Sequence, residues 1–255
     1  MSRDVEPPTA PAVDRAVLVL KHIAASGEGV SLASLSQALA MPKSSTLSIC
    51  RSLVNGGLLT RSSSGAYGLA IGVVDLARSY LSSATITDVF ISEWEQRSRF
   101  IDETVVLSVL DGADVVYVAC KNGKVGVSFN YRIGMRLPAW CAASGKAILS
   151  TMGEKAARLL PAGDLQPLSN RGVIARRDFM AQLETARTTG YAIDDEEVRA
   201  GMCCIGAPVF EARSGPALSA VAISMLKGEF EGKRAEAVDC ILDFSNALSR
   251  RLRAG

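Results

Sequence analysis

The 255-residue chain contains a single histidine, two tryptophans and only 5% aromatic residues. The one histidine, His22, lies far in sequence from any candidate nucleophile, which argues against a Ser-His-Asp catalytic site and against a zinc site. No GxGxxG motif occurs, and the GxxxxGK[ST] phosphate loop lacks its first glycine because Trp140 takes that position. These absences weigh against an enzyme, and we expect neither a bound metal nor a cofactor.

Long apolar runs are also missing. No stretch approaches the ~20 apolar residues that span a bilayer, and the first dozen residues, MSRDVEPPTAPA, lack the apolar core of a signal peptide. Residues 1–11 are expected to form a disordered arm, because such a composition buries too little surface to order itself. We therefore expect a cytoplasmic protein without a membrane partner, whose six cysteines are reduced thiols.

Acidic residues are absent from one long window. Positions 29–74 hold no Asp or Glu, although the chain has 26 of them, and the same window carries Lys43, Arg51 and Arg61. A surface that approaches phosphates excludes carboxylates, because like charges repel and counterion release is lost. The window therefore favours nucleic-acid binding, and a serine- and alanine-rich packing module that merely lacks acids is the alternative.

The order of elements in this window predicts a winged helix-turn-helix over residues 12–70. Apolar residues recur at helical spacing from Ala12 to Ser26. Ser31 is a suitable N-cap for a second helix, and Pro42 suits the start of a third that ends at Gly56. Two β-like stretches separated by Ser-Ser-Ser-Gly then indicate a hairpin. Three helices followed by a hairpin are the winged helix-turn-helix order.

The third helix is predicted to have two different faces. Its apolar set, expected to pack inward, is Leu47, Cys50, Leu53 and Val54. Its polar set, expected to face outward, is Ser44, Ser48, Arg51 and Asn55. Small outward side chains let a helix enter a major groove about 12 Å wide, and its N-terminal N–H groups favour phosphate. The predicted DNA-contacting residues are Lys43, Ser44, Ser45, Thr46, Ser48, Arg51 and Arg61.

Beyond the hairpin the pattern predicts a linker helix over 71–83 and an α+β domain over 84–255. The linker helix has a broad apolar stripe, for which a second copy of the chain is the simplest partner. Asp111-Gly112 joins two strand-like runs as a hairpin. The expected strands are 104–110, 114–121, 205–210 and 217–226, and the expected helices are 142–152, 154–160, 177–189 and 232–252. Antiparallel strands with segregated helices are typical of the α+β class.

Four segments, in this order, resemble the IclR family of bacterial transcriptional regulators over residues 12 to 252. They are AVDRAVLVLKHIA, MPKSSTLSICRSLVNGGLL, LPAWCAASGKAIL and GYAIDDEEVRAGMCCIGAPVF. The resemblance implies a winged helix-turn-helix, a linker helix and a GAF/profilin-like ligand-binding domain. It also implies dimers, or dimers of dimers, that bind double-stranded operator DNA and respond to small organic acids. One departure is that Leu47-Ser48 stands where the family often has an aromatic residue or His followed by Arg.

The same resemblance implies an effector pocket. Its residues are Phe129, Leu137, Ala143, Ser144, Asp194, Met202, Cys204 and Ser224. The helix start at Ser144-Gly145-Lys146 offers backbone N–H groups to a carboxylate. Asp194 and Ser224 are expected to hydrogen-bond a hydroxyl or keto group, while the rest of the acidic run Asp194–Glu197 is interpreted as a solvated or helix-starting turn. The paired thiols Cys203 and Cys204 are interpreted as lying on opposite faces of a strand.

The sequence therefore predicts a ligand-responsive DNA-binding transcriptional regulator, controlling a catabolic operon in response to a small carboxylic or aromatic acid. The first alternative, motivated by Leu47-Ser48, is a metabolite-binding protein that acts through protein partners without sequence-specific DNA binding. The second is an enzyme acting on the bound metabolite, which the missing catalytic and cofactor motifs oppose. Repression and activation are not distinguished by any residue.

Overall fold

A computed structural model of the chain describes residues 10–83, 85–97, 102–123 and 131–254. The described chain divides after Ser83 into two compact units, the N-terminal and the C-terminal unit. Within the described ranges, every helix is too short or too polar to cross a bilayer.

The N-terminal unit contains the predicted helices and hairpin. Its elements are α1 (Pro11–Ser26), α2 (Leu32–Ala38), α3 (Lys43–Asn55), β1 (Leu59–Arg61), β2 (Tyr67–Leu69) and α4 (Gly72–Ser83). Helix α1 ends at Gly27, whose φ of 68° is a left-handed conformation that glycine adopts readily. The Ser31 side chain caps α2 by accepting the N–H of Ser34 at 3.1 Å, as the sequence predicted.

One apolar core joins α1, α2, α3 and the hairpin. Its buried members include Val19, Ile23, Leu35, Met41, Cys50, Leu53, Leu59 and Tyr67. Val30 pairs with strand β2 through an isolated antiparallel bridge, in which Val30 and Tyr67 exchange two backbone hydrogen bonds of 2.8 Å. The hairpin therefore lies beside α3 and shares its core, as the winged helix-turn-helix prediction required.

The inward face of α3 differs from the prediction at one position. Leu47 is only half-buried, and it is Thr46 that has no exposed surface. Thr46, Cys50 and Leu53 follow one another at intervals of four and three residues, which is the spacing of a single helix face. Leu47 and Thr46 both fit the helical period of this face, and the fold selects the threonine, whose hydroxyl is satisfied within the helix.

Apolar side chains remain exposed on two helices of the N-terminal unit. They are Val13, Val17 and Leu18 on α1 and Val74, Leu76 and Tyr80 on α4. The start of α4 is tied to the unit, because the Gly72 N–H donates to the Gly57 carbonyl at 3.2 Å. A Cβ at position 72 would lie 2.5 Å from that carbonyl oxygen, so only glycine fits this approach.

The C-terminal unit is a six-stranded antiparallel sheet with helices. Its elements are α5 (Thr85–Arg97), β3 (Thr104–Asp111), β4 (Asp114–Lys121), β5 (Arg136–Pro138), α6 (Ala143–Ser150), a 3₁₀ helix (Gly153–Arg158), α7 (Arg176–Thr189), β6 (Ala192–Asp195), β7 (Met202–Val209), β8 (Ser219–Leu226) and α8 (Lys227–Ala254). The strand order is β5-β4-β3-β8-β7-β6. The predicted helix 154–160 is a shorter 3₁₀ helix, and the edge strands β5 and β6 were not predicted.

Helices cover both faces of this sheet, and every residue of β7 is consequently buried. On the inner face, α6 packs on side chains such as Val106, Cys204 and Ala222. On the outer face, α8 packs on β7 and β8, and Phe244 of α8 contacts Phe90 and Trp94 of α5. This arrangement confirms the predicted α+β class.

Candidate nucleic-acid interface and ligand site

The polar face of α3 is exposed. Ser44, Ser48, Arg51 and Asn55 all lie on it, and Lys43 is the first residue of the helix. No acidic residue occurs within α3, so the positive end of the helix dipole and the lysine act on the same surface without opposition. Ser45, half-buried at the edge of this face, completes the helix start. This surface presents cations and small hydroxyls in the pattern that phosphate and base edges require.

The structure corrects the predicted role of Thr46. Its side chain is fully buried, and its hydroxyl donates to the Pro42 carbonyl at 3.0 Å. A group without exposed surface has no access to a ligand of the helix face. Thr46 therefore belongs to the core that anchors α3 and not to the candidate nucleic-acid interface.

Arg61 stands at the end of the first hairpin strand. Its Nε donates to the Gly65 carbonyl at 3.5 Å, and its guanidinium lies 5.6 Å from the centre of the Tyr67 ring. Both contacts hold the side chain along the hairpin while leaving it exposed. The tight turn is closed by Ser62, whose hydroxyl accepts the Ala66 N–H at 3.1 Å.

The start of α6 lies directly on the inner face of the sheet. A Cβ at Gly206 would lie 2.6 Å from the Ala143 carbonyl carbon, and one at Gly145 would lie 2.3 Å from the Ala139 oxygen. Two glycines therefore permit this close packing. The Ser144 hydroxyl is buried here and has no hydrogen-bond partner among the described residues. A buried hydroxyl without a partner is a group that a ligand can satisfy.

Polar side chains cluster on the inner face beside this helix start. The Cys204 sulfur lies 3.2 Å from the Ser224 hydroxyl and 3.9 Å from the Tyr131 hydroxyl. The rings of Tyr131 and Tyr117 lie 5.8 Å apart. Burial raises the pKa of both tyrosines and of Cys204, so all of these groups are neutral donors and acceptors. We call Tyr117, Tyr131, Cys204 and Ser224 the inner polar cluster.

Sequence reasoning placed Cys204 and Ser224 in this cluster but missed the two tyrosines. Tyr117 was hidden among the alternating residues of a predicted strand, and Tyr131 follows a stretch for which no element was predicted. The strand registers align Cys204 with Ser224, and no local motif signals that pairing. The residues of such a cluster come from strands that are distant in sequence, and sequence periodicity does not reveal which strands pair.

Asp194 lies opposite Cys204 in the β6–β7 pairing and is buried. Its Oδ1 accepts the backbone N–H groups of Glu197 at 2.7 Å and Val198 at 3.2 Å, and thereby fixes the turn after β6. Burial, together with the neighbouring Glu197 carboxyl, raises the pKa of Asp194 well above its ordinary value. Asp194, predicted as a pocket residue, is buried, whereas the solvated turn predicted for the rest of the acidic run is wrong at Glu197, which is also buried.

Glu197 instead forms a buried ion pair with Lys146 of α6. The Lys146 Nζ lies 2.5 Å from the Glu197 Oε1, 2.9 Å from the Ile193 carbonyl and 3.3 Å from the Gln182 amide oxygen. Burial opposes ionisation of Glu197, yet its partners, among them Asp194 and Lys146, leave its pKa lowered. Neither residue of the pair was predicted as a site residue.

Two other predicted pocket residues, Leu137 and Met202, are buried in the C-terminal unit. Leu137 of β5 belongs to the same apolar core as Tyr131 and Ala143. Met202 is buried at the start of β7, opposite Leu226 of β8. Phe129 lies outside the described residues. The structure thus brings Ser144, Ala143, Cys204, Ser224 and Asp194 to one region of the inner face.

The adjacent cysteines point to opposite faces of β7, as predicted. The Cys203 thiol donates to the Asp195 carboxylate at 3.2 Å, whereas Cys204 meets Ser224 on the inner face. Burial raises the pKa of Cys203 to about 12, with the Asp195 carboxylate adding to the effect. All six cysteines are free thiols, and this pair has the environment of packed side chains rather than of reactive thiolates.

Comparison with known families matches both units. The family model described as "IclR helix-turn-helix domain" matches residues 12–63. The model described as "Bacterial transcriptional regulator IclR C-terminal" matches residues 78–250. Together these two models account for most of the chain.

Individual proteins agree with the family models. The HTH-type transcriptional regulator Rv1719 of Mycobacterium tuberculosis is 33% identical over 238 residues, which cover 90% of this chain and 88% of that protein. The crystal structure of the Thermotoga maritima IclR has 26% identity and a TM-score of 0.74, and the match covers 95% of this chain and 99% of that chain. An IclR homologue from Microbacterium hydrocarbonoxydans in complex with 4-hydroxybenzoate shares the fold at 20% identity, with a TM-score of 0.81 over 96% of this chain and all of that chain.

Proposed function

Because the chain belongs to the IclR family of bacterial transcriptional regulators, and not to a family of enzymes, we propose that it binds operator DNA and that a small organic acid controls this binding. The exposed, acid-free face of α3 is the observation that carries the proposal. Its proposed DNA contacts are Lys43, Ser44, Ser45, Ser48 and Arg51, with Arg61 of the hairpin on the neighbouring backbone.

The residues of this α3 surface are proposed to contact different parts of the DNA. Lys43 at the helix start contacts a phosphate, where its charge and the helix dipole add. Ser48 and Arg51 lie further along the same face, where a helix seated in the major groove meets base edges. Ser48 occupies a position at which the family often has arginine, so this chain reads its operator with a different set of side chains.

A dimer completes the DNA-binding form. The exposed apolar residues of α1 and α4, among them Val13, Val74 and Leu76, are covered in this proposal by a second copy of the chain. A twofold pair places two α3 helices in successive major grooves, about 34 Å apart or a multiple of this distance. The operator is then a palindrome, and residues 71–83 act as the linker between the DNA-binding and effector-binding parts.

The effector is proposed to bind at the inner face of the C-terminal sheet. The unpartnered Ser144 hydroxyl at the start of α6 receives the ligand carboxylate together with backbone N–H groups. The inner polar cluster supplies neutral donors and acceptors for a hydroxyl or keto group, and Leu137 supplies an apolar wall. The same fold holds 4-hydroxybenzoate, a hydroxylated aromatic acid, in the Microbacterium hydrocarbonoxydans protein. The raised pKa of Asp194 favours its protonated form, which lessens its repulsion toward an anionic ligand.

An electrophoretic mobility shift with the intergenic DNA upstream of the gene tests the proposal. We expect a shift that specific competitor removes and scrambled competitor does not, and that carboxylic acids alter at fixed protein concentration. Binding without sequence preference, or its absence at modest salt, would instead support a metabolite-binding protein that acts through protein partners.

A further inference from the structure

A groove of ≈ 330 Å³ lies at the free edge of the C-terminal sheet, away from the inner polar cluster. It runs along β6 between α7 and α8, and we call it the β6-edge groove. The residues that matter for its chemistry are Lys146, Arg171, Gln182, Tyr191, Glu197 and Arg234. Its volume falls in the range of small-molecule pockets.

Two backbone carbonyls of the edge strand β6 already accept hydrogen bonds from side chains. The carbonyl of Ile193 accepts from the Lys146 ammonium, and the carbonyl of Asp195 accepts from the Arg171 guanidinium. These carbonyls are two residues apart and so point to the same side of the strand. Two cations thus block the edge against pairing with another strand, and a peptide that adds to the sheet is not the occupant.

The charges of the groove leave one cation without an anion. Glu197 is neutralised by Lys146, and Asp195 is neutralised by Arg171 together with Lys227. Arg234 forms no ion pair with any described residue, and its guanidinium lies 6.0 Å from the centre of the Phe230 ring. A guanidinium held over an aromatic ring keeps its N–H fork available for a carboxylate.

A polar donor and an apolar wall accompany this cation. The Gln182 amide oxygen accepts from Lys146, and this bond turns the amide nitrogen, a double donor, away from the ion pair. Ala186 and Ala192 line the groove with apolar surface beside the Tyr191 ring. A small inorganic anion would leave this apolar surface exposed to water. A carboxylate with a short hydrocarbon body would bury it.

We propose that the β6-edge groove is a second ligand site, which binds a small monocarboxylate with an apolar body through Arg234 and the Gln182 amide. This site is additional to the proposed effector site and does not depend on DNA binding. The two sites flank the Lys146–Glu197 pair, because Glu197 also approaches Asp194 at the inner face.

Binding of 4-fluorobenzoate to the full-length protein tests this proposal by ¹⁹F NMR and calorimetry. We expect Arg234→Met to weaken the groove component by at least about tenfold, because a charge-assisted bidentate contact is lost. The matched variant Arg250→Met removes an exposed arginine elsewhere on α8 and should bind as the wild type does. Ser224→Val, which alters the inner polar cluster, should leave the groove component unchanged.

Three results would overturn the proposal. The first is equal affinity of the wild type and Arg234→Met for 4-fluorobenzoate. The second is loss of all binding in Ser224→Val alone. The third is no binding of 4-fluorobenzoate to the wild type up to about 10 mM, beyond the range of weak specific ligands. Unchanged thermal unfolding of Arg234→Met shows that the exposed arginine is not needed for folding. A failure of DNA binding, by contrast, leaves this measurement unaffected.

Discussion

The ammonium of Lys146 lies 2.5 Å from the carboxylate of Glu197, and both side chains are almost completely buried. A buried pair gains little net stability over an apolar replacement, but it becomes strongly destabilising when one partner is left alone. The pair joins α6 to the turn after β6, and this turn also carries the bonds to Asp194. It therefore fixes the position of the helix start relative to the edge of the sheet.

Removing one partner of this pair tests its role. We expect Lys146→Met to destabilise the protein by about 3–5 kcal/mol, because Glu197 is left buried without a counter-charge. The double variant Lys146→Met/Glu197→Leu should recover at least half of the loss. Urea unfolding followed by circular dichroism measures both changes, and a double variant no more stable than the single one contradicts a compensated pair.

The stability of the C-terminal unit should depend on pH through Asp195. Burial raises the pKa of this carboxyl, but hydrogen bonds from Lys227, Cys203 and Arg171 outweigh burial and hold the pKa at about 2. Its folded pKa is thus below the value of about 3.9 in an unfolded chain. The contribution is complete above about pH 4 and is lost as the pH falls toward 2.

Asp195→Asn should therefore lower the urea midpoint at pH 7 and match the wild type near pH 2. Asp239→Asn, an exposed carboxylate on α8, should leave the midpoint unchanged at both pH values. An Asp195→Asn deficit that is equally large near pH 2 would reject this linkage.

Thr46→Val separates packing from DNA contact. The hydroxyl bonds to the Pro42 carbonyl, which also accepts the Thr46 N–H at 3.0 Å, so its removal leaves that carbonyl satisfied. We expect a loss of no more than about 1.5 kcal/mol in stability and an unchanged affinity for operator DNA. Reduced affinity at full helical content, measured by fluorescence anisotropy, would return Thr46 to the DNA-contacting set.

Ser224→Val should uncouple the effector from the DNA. The hydroxyl meets the Cys204 sulfur at 3.2 Å in the inner polar cluster, and the larger valine side chain has no polar atom to replace it. DNA affinity in the absence of acid should be that of the wild type, whereas the response to carboxylic acids should fall at least about tenfold. Loss of DNA binding as well would indicate a folding defect and count against a pocket role.

Much of the N-terminal unit could be predicted from sequence because its signals are local. The N-cap at Ser31, the glycine that ends α1 and the polar face of α3 each follow from residues within a few positions of one another. Leu47 and Thr46 show the limit, because both fit the helical period of the inward face, and polarity favoured the leucine whereas the fold buries the threonine.

The C-terminal site was less predictable because its contacts are long-range. Strand β6 has the sequence AIDD, whose two acids do not suggest a strand, and only pairing with β7 places Asp194 opposite Cys204. Likewise, Lys146 and Glu197 are 51 positions apart, and no motif connects them. Charged side chains such as these are buried only because the fold brings their partners together, and a single sequence does not show which residues become partners.

Phosphate contact by Lys43 has a quantitative signature. Lys43→Ala should weaken binding to every DNA sequence and reduce the slope of log affinity against log salt by about one unit. Lys155→Ala, an exposed lysine of the C-terminal unit, serves as the control and should leave the slope unchanged. Equal slopes for wild type and Lys43→Ala would exclude a phosphate contact.

The central claim is that the exposed, acid-free face of α3 meets DNA, and placing a carboxylate on that face tests it most directly. Anisotropy titration of upstream DNA should show Ser48→Glu binding at least about tenfold more weakly than wild type, because the new carboxylate enters the negative potential of the DNA groove. Ser214→Glu, the same change at an exposed serine of the C-terminal unit, should bind normally. Wild-type affinity in a correctly folded Ser48→Glu protein would contradict the account.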